Sequence, residues 1–323
     1  MNSISRRTFL AGSAGAAALA LTACGGSGSS DASGDKTYKI GVLQLTQHAA
    51  LDAANEGFVE ALDASGIKYT IDQQNANNDQ SACATIASKL VGDGDDLIFA
   101  IATPAAQAVA AATSDIPIVG SAITDYAASG LVADNDKPGG NLIGTSDMNP
   151  VDDQIAMLQK VLPEAKHIGM LYCTAESNSQ LQIEMAEAAC DKAGLTTERF
   201  TVSSSNEIQS VVESMVGKVD AGYSPTDNTI AAAAAQVGQI AKEGKLPFIT
   251  GEENMCMGMG ICTVSIDYKE LGKMAGEMAV KILKGEDTPA NMAIETAAGD
   301  QLQTIKNEEM AEALGIDLSV LDA

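Results

Sequence analysis

Polar side chains gather where the apolar runs of this sequence stop. Thr46-Gln47-His48 follows an apolar segment at 39–44. Thr103-Pro104-Ala105-Ala106-Gln107 follows one at 97–102, and Thr124-Asp125-Tyr126 follows one at 117–122. Farther along, Thr174-Ala175-Glu176-Ser177-Asn178-Ser179 comes after Tyr172-Cys173, and Pro225-Thr226-Asp227-Asn228 after Tyr223-Ser224. Thr103 as cap and Pro104 in the first turn predict a helix start. The N–H groups of Ala105 and Ala106, at the positive end of the helix dipole, suit a carboxylate; plain capping fits the same residues. Asp125 pairs with an ammonium if it faces a cleft and caps a turn if it does not. Asp227 and Asn228 can both cap the next helix, or one caps while the other reaches a ligand. Gln47, Glu176 and Ser179 complete these polar candidates with Asn178. Buried groups of this kind orient a ligand and select it, because an analogue that fails to pair them leaves them unsatisfied.

Catalytic and metal signatures are missing. The sequence has no G-x-S-x-G elbow, no G-x-x-x-x-G-K-[ST] loop and no H-E-x-x-H, and Gly258-Met259-Gly260 lacks the third glycine of a dinucleotide fingerprint. Its two histidines, His48 and His167, leave little scope for a histidine dyad. No enzyme activity, cofactor or metal is expected. Met255-Cys256-Met257-Gly258-Met259-Gly260-Ile261-Cys262 offers soft sulfur that would suit Cu(I), but no ligand cluster accompanies it. It reads as a glycine-rich connection into a strand, with methionines packed on the core. Besides Cys24 there are five cysteines, an odd number, so at least one is left out of any intramolecular pairing; a bridge from Cys256 to Cys262 is left open.

The elements that position these residues follow a regular alternation. Strands are predicted at 39–44, 69–73, 97–102 and 117–122, with helices at 51–66, 81–91 and from 103 onward. A second series begins at Asn149-Pro150: strands at 167–172, 197–202, 219–223 and 246–250, and helices at 207–216 and 228–243. Ser177-x-x-Gln180 reads as a capping box opening another helix. A late helix over 268–284 is capped by Asp267 with Glu270 and stopped by Gly285. The fold class is therefore α/β, with two doubly wound parallel-sheet lobes and an interlobe cleft. The chain of 323 residues suits two such domains. Its net charge of −24 repels phosphate backbones and excludes nucleic-acid binding, and its 46% hydrophobic content excludes wholesale disorder.

Residues 1–23 read as a signal peptide. Arg6 and Arg7 precede a short apolar run from Phe9 to Leu21, and Ser5-Arg6-Arg7-Thr8-Phe9-Leu10 resembles the twin-arginine export signal. Leu21-Thr22-Ala23-Cys24 resembles the bacterial lipobox, which would acylate Cys24. Residues 24–36, rich in Gly and Ser, read as a flexible tether with a reach of roughly 20 Å.

The chain resembles the ABC-transporter substrate-binding lipoproteins of the tryptophan/tyrosine type, which have the type I periplasmic-binding-protein fold. The resemblance is carried by Gly41-Val42-Leu43-Gln44, Leu51-Asp52, Ile101-Ala102-Thr103-Pro104-Ala105-Ala106-Gln107, Ile123-Thr124-Asp125, Pro138-Gly139-Gly140-Asn141, Glu176-Ser177-Asn178-Ser179, Asp227-Asn228 and Ile266-Asp267-Tyr268, spread over residues 37 to 320. It implies a monomer anchored to the membrane at the cell envelope, capturing a small zwitterion, foremost an aromatic amino acid, for an ABC permease and its ATPase. A ligand sensor that serves no transporter, or a protein for another polar solute such as a nucleoside, are the rival readings. By resemblance, Thr103 and the N–H groups after it would hold the carboxylate. Asp125, Asn178 and Asp227 become candidates for the amino group. Tyr126, Tyr172 and Tyr223 are candidate stacking partners or ordinary core. The expected lobes are 37–146 with 267–295, and 147–266 with 296–323, joined by three crossings that act as a hinge.

Overall fold

A computed structural model describes residues 36–297 and 302–322. The expected signal peptide, Cys24 and all of the expected tether except Lys36 lie outside the described residues.

The first series of elements runs β1 (Thr37–Gln44), α1 (Ala49–Ser65), β2 (Lys68–Asn75), α2 (Gln80–Asp93), β3 (Leu97–Ile101), α3 (Thr103–Ala112), β4 (Ile118–Ile123) and β5 (Leu142–Ser146). The second runs α4 (Val151–Val161), β6 (His167–Cys173), α5 (Ser177–Lys192), β7 (Thr196–Val202), α6 (Ile208–Met215), β8 (Ala221–Ser224), α7 (Asn228–Ala231), α8 (Ala234–Gly244), β9 (Phe248–Thr250), α9 (Glu253–Met259) and β10 (Cys262–Ile266). The chain then forms α10 (Tyr268–Lys284), β11 (Glu295–Thr296), β12 (Leu302–Lys306) and α11 (Glu308–Leu314).

Two six-stranded sheets result, each the floor of one lobe. The first is ordered β11-β5-β4-β3-β1-β2 and is parallel throughout. The second is ordered β12-β10-β9-β8-β6-β7, with only β12 antiparallel. The chain passes from the first sheet to the second after β5, returns after β10, and passes again after β11. Every residue of β3 is buried, as a central parallel strand covered on both faces requires. α10 lies on α1 almost backbone to backbone. A Cβ at Gly272 would fall 1.9 Å from the Ala54 carbonyl oxygen, and one at Gly57 2.0 Å from that of Lys269. Asp267 caps α10 through the N–H groups of Lys269 and Glu270, and Gly285, at φ 72°, ends it.

Several helix starts differ from expectation. α3 begins one residue early, so Ala102, at φ 83° and ψ 151°, takes the cap position and Thr103 lies inside the helix. At α5 the cap position is Glu176, and the Gln180 side chain donates to the Thr174 carbonyl instead of closing a capping box. Asn149 does not cap α4; its Oδ1 accepts the Ile266 N–H at 3.0 Å and ties two crossings together. The helix expected over 228–243 is broken into α7 and α8. The methionine-rich run is largely helical, not a glycine-rich connection. Glu252 caps α9 through the N–H groups of Asn254 and Met255, and Met255, Cys256 and Met259 are buried. Cys83, Cys173, Cys190, Cys256 and Cys262 are free and buried. No helix among the described residues is long and apolar enough to cross a membrane.

Candidate ligand-binding cleft

The rim of the second lobe is built from the starts of α5 and α7, which share one carboxylate. Glu176 accepts from the Asn228 N–H (3.1 Å) and Nδ2 (2.6 Å) and from the Thr229 N–H (2.9 Å) and Oγ1 (2.8 Å). Asp227 accepts from the Cys173 N–H (2.6 Å) through one oxygen and from the Ile230 N–H (2.9 Å) through the other. Burial, then the neighbouring charge of Glu176, push the Asp227 carboxyl up to about 8. Asn178 Nδ2 donates to the Thr226 carbonyl at 3.1 Å, and Gln182 Nε2 to Thr226 Oγ1 at 2.6 Å.

The first lobe meets this rim directly. His48 Nε2 lies 3.1 Å from Asn228 Oδ1. Because Asn228 Nδ2 is given to Glu176, its Oδ1 must accept, so His48 Nε2 carries the proton. Burial holds the His48 pKa below its ordinary value, which keeps the ring neutral and leaves Nδ1 an acceptor. Asn78 Nδ2 donates to Thr229 Oγ1 (2.9 Å), Gln80 Nε2 to the Ala175 carbonyl (3.0 Å) and Gln182 Nε2 to Thr124 Oγ1 (3.3 Å). Four side-chain hydrogen bonds therefore clasp the lobes shut.

Behind the clasp lies a cavity. Its walls are His48, Ala50, Leu51, Ala122 and Thr124 from the first lobe, and Asn178, Thr226, Asp227, Asn228, Ala231, Glu252 and Met255 from the second. Asp147, from the crossing after β5, and Tyr268, from the start of α10, complete it. About 10 Å³ is open to the centre of a water-sized sphere, room for roughly one water. The Tyr268 hydroxyl donates to Asp147 Oδ2 at 2.7 Å, while Asp147 Oδ1 is buried with no partner. Burial pushes the Asp147 carboxyl up to about 6, with the hydroxyls of Tyr268 and Thr124 opposing. Glu252 is likewise pushed up to about 7 by burial, against the N–H groups it caps. Asn178 Oδ1 and His48 Nδ1 also have no partner. Three orphaned acceptors thus belong to residues of one cavity, with Asp147 only 4% and Asn178 only 3% exposed. No group of three or more His, Cys, Asp or Glu among the described residues is placed to hold a metal. A larger groove of about 690 Å³, along α1 and α10, is lined mainly by Lys and Glu and holds none of the orphaned atoms.

The residues singled out from sequence divide sharply. Asn178, Asp227 and Asn228 line the cavity. Glu176 and Ser179 stand one layer behind, Glu176 holding Asn228 and the Ser179 hydroxyl helping to hold the Asp227 charge. Gln47 is exposed while its neighbour His48 lines the cavity, because consecutive side chains of an extended segment point opposite ways. Asp125 caps its own turn, accepting from the Ala128 N–H (2.9 Å) and Asn135 Nδ2 (3.0 Å). Tyr126 is core, with its hydroxyl on the Thr145 carbonyl at 3.0 Å, and Tyr223 is core, with its hydroxyl on Gln154 Oε1 at 2.8 Å. Tyr172 is buried in the second lobe. Ala105 is buried, and the Ala106 N–H is spent on the Ala102 carbonyl, a consequence of the early start of α3. Thr103 is 1% exposed and its Oγ1 has no partner, but it does not line the cavity. Asp147 and Glu252 were missed, although each stands just past a strand end, the very position that drew attention elsewhere. Tyr268 was missed as a wall residue because it opens a helix from the other lobe.

Residues 39–320 match the family described as ABC transporter substrate binding protein. A tyrosine-binding protein of Clostridioides difficile is 38% identical over 314 residues, spanning 94% of this chain and 90% of the relative. Among solved structures, an ABC domain in complex with L-Trp from Streptococcus pneumonia superposes with a TM-score of 0.85 at 41% identity, covering 89% of this chain and 98% of that one. The ligand-free, open structure of a substrate-binding protein with adhesive properties from Clostridium difficile gives 0.66 at 42% identity, covering 87% and 95%. In this chain the four bonds between the rims hold the cleft shut. By the span of that match and by its fold, the chain belongs to the ABC transporter substrate-binding protein family.

Proposed function

We propose that the protein is the extracytoplasmic solute-binding lipoprotein of an ABC importer, and that its cleft captures an amino acid, aromatic ones foremost, without altering it. The observation that carries this reading is a cavity closed between two lobes in which Asp147, Asn178 and His48 each leave a polar atom unpaired. Such atoms cost free energy until a ligand pairs them. The tyrosine-binding and L-Trp-bound relatives direct the choice of ligand. Asn178, Asp227 and Asn228 form the second-lobe wall, backed by Glu176 and Ser179. Thr103, with its orphaned hydroxyl at the start of α3, receives the carboxylate when the lobes part.

The lobes are 37–146 with 267–295 and 147–266 with 296–323, and they open about the three crossings between the sheets. With so little room in the closed state, a ligand enters the open form and stabilises closure by touching both rims. Cys24 is acylated after twin-arginine export, residues 24–36 tether the monomer to the membrane, and the loaded protein delivers to a permease driven by an ATPase. The test is a thermal-shift screen of the mature protein with all proteinogenic amino acids, followed by calorimetry. A micromolar ligand supplies about 8 kcal/mol and raises the melting temperature. A flat response across the whole set would overturn the amino-acid reading. Cys24→Ser should move the protein from the membrane to the soluble fraction.

A further inference from the structure

We propose that Glu176 is the positioning residue of lobe closure: one buried carboxylate sets the polarity of two of the four bonds that clasp the rims, and so sets how much of the protein is closed. The inference rests on the hinge closure proposed above and names the residue that governs it. Glu176 is 2% exposed and takes the cap position of α5, yet its side chain makes no capping bond to that helix. It reaches across to the start of α7 instead. Oε2 accepts from the Asn228 N–H and Nδ2, and Oε1 from the Thr229 N–H and Oγ1. Each oxygen thus takes one backbone donor and one side-chain donor from a single residue.

Those two side chains are also the ones into which the first lobe donates. With Nδ2 committed to Glu176, Asn228 presents only Oδ1 to His48 Nε2. With its hydroxyl proton committed likewise, Thr229 presents only lone pairs to Asn78 Nδ2. The donor opposite Thr229 is fixed as well. Asn78 stands at φ 62° after Asn77 at φ 50°, a left-handed pair that asparagine tolerates, and its N–H is tied to the Leu45 carbonyl at 2.8 Å. The rims therefore meet donor to acceptor without reorienting, which lowers the cost of closure. The clasp also stands at a doorway. Outside it, a groove of about 410 Å³ is lined by Asn78, Gln80 and Pro104 of the first lobe and by Cys173, Glu176 and Thr229 of the second. Inside it, His48 and Asn228 line the closed cavity. Glu176 ties the two sides together. An amide in its place has one donating and one accepting end. Whichever way it turns, either Asn228 or Thr229 must accept from it and turn its own proton toward the first lobe, where a donor already stands.

The experiment follows closure directly. Mature protein carrying Cys24→Ser is labelled with a dye pair at Ala84→Cys on α2 and Ser210→Cys on α6, both exposed positions, while Cys83, Cys173, Cys190, Cys256 and Cys262 are buried. Single-molecule energy transfer gives the closed-to-open ratio, ligand-free and with saturating L-tyrosine or L-tryptophan. Asn78→Ala, which leaves the cavity wall intact, should lower that ratio about fivefold, the effect of one lost bond. Glu176→Gln should lower it about fivefold or more. Adding Asn228→Asp to Glu176→Gln exchanges carboxylate and amide, returns an acceptor to His48 Nε2, and should restore the ratio to within about threefold of the parent. An unchanged ratio in Glu176→Gln, with and without ligand, would overturn the inference. So would a fall that the exchange leaves unrelieved, the mark of a second lobe that is merely damaged. If Glu176→Gln does not unfold cooperatively in urea, Thr229→Val decides: a fall of about fivefold supports the inference and an unchanged ratio overturns it. If neither amino acid moves the parent's ratio, those two ligands are refuted, and the ligand-free ratios still decide the role of Glu176.

Discussion

Replacing Asp147 with asparagine should exchange ligand affinity for stability, and the size of the exchange follows from burial. The carboxyl has a usual value of 3.8 and is pushed up to about 6 in the folded chain, chiefly by burial. That difference corresponds to about 3 kcal/mol. The folded state holds this proton more tightly than the unfolded chain does, so the acid carries no penalty below about pH 4, where it is neutral in both states. Between about pH 4 and 6 the unfolded chain ionises first and the penalty grows, and above pH 6 it is complete. Asparagine keeps an acceptor for the Tyr268 hydroxyl and removes the charge. Parting of the lobes hydrates the native carboxylate, so about 3 kcal/mol is a ceiling. At the unfolding entropy of a chain this long, that ceiling is about 5 °C. Thermal unfolding of the ligand-free proteins, followed by circular dichroism at pH 7.5 and pH 4, measures it. The variant should melt several degrees higher at pH 7.5 and within a degree at pH 4. A variant that melts lower at pH 7.5, or a gap of the same size at both pH values, would refute the reasoning.

Other expectations follow from the same geometry. With Asp147 Oδ1 ionised and open to a ligand's donor, affinity should be about tenfold weaker at pH 5 than at pH 7.5, measured by calorimetry; equal affinity at both would remove Asp147 from the contact. Asp125→Ala should cost about 1 kcal/mol in urea unfolding, as a lost turn cap, and leave ligand affinity unchanged. Thr103→Val removes a buried, unpaired hydroxyl. It should leave stability in urea unfolding unchanged or raise it by about 1 kcal/mol. Gly272→Ala drives a methyl into the Ala54 carbonyl and should cost 2 kcal/mol or more, on the order of other overpacked sites. Parent-like stability would mean that α1 and α10 can separate freely.

Much of the fold was legible because its signals are local. The all-apolar run of β3 and the Asp267, Glu270 and Gly285 punctuation of α10 each need only a few neighbouring residues. What escaped depends on partners distant in sequence or on strained backbone. No propensity rule places an alanine at φ 83°, as Ala102 stands, yet that residue moves the start of α3 and withdraws the Ala106 N–H from any ligand. α9 forms despite Gly258 within it because the Glu252 carboxylate caps it and three of its side chains find core. The site was harder still. Asp125 and Asp147 stand two and one residues past the ends of adjacent strands and read alike. Asp125 finds its donors within ten residues, whereas the hydroxyl that Asp147 accepts at 2.7 Å belongs to Tyr268, 121 residues away. Local donors make a turn, and their lack leaves an oxygen for a ligand.

Closure sets hydrogen bonds against buried charge. The four bonds that clasp the rims are worth about 1 kcal/mol each, about 4 kcal/mol together. Against them stand the carboxyls of Asp147, Asp227 and Glu252, each pushed above its ordinary value chiefly by burial in the cavity wall. A ligand that only filled space would strengthen closure by its contacts and leave the orphaned acceptors of Asp147, Asn178 and His48 uncompensated. A ligand that donates to them inside the closed cavity removes that cost, so the group that gains most from closure is the one the closed wall leaves unpaired.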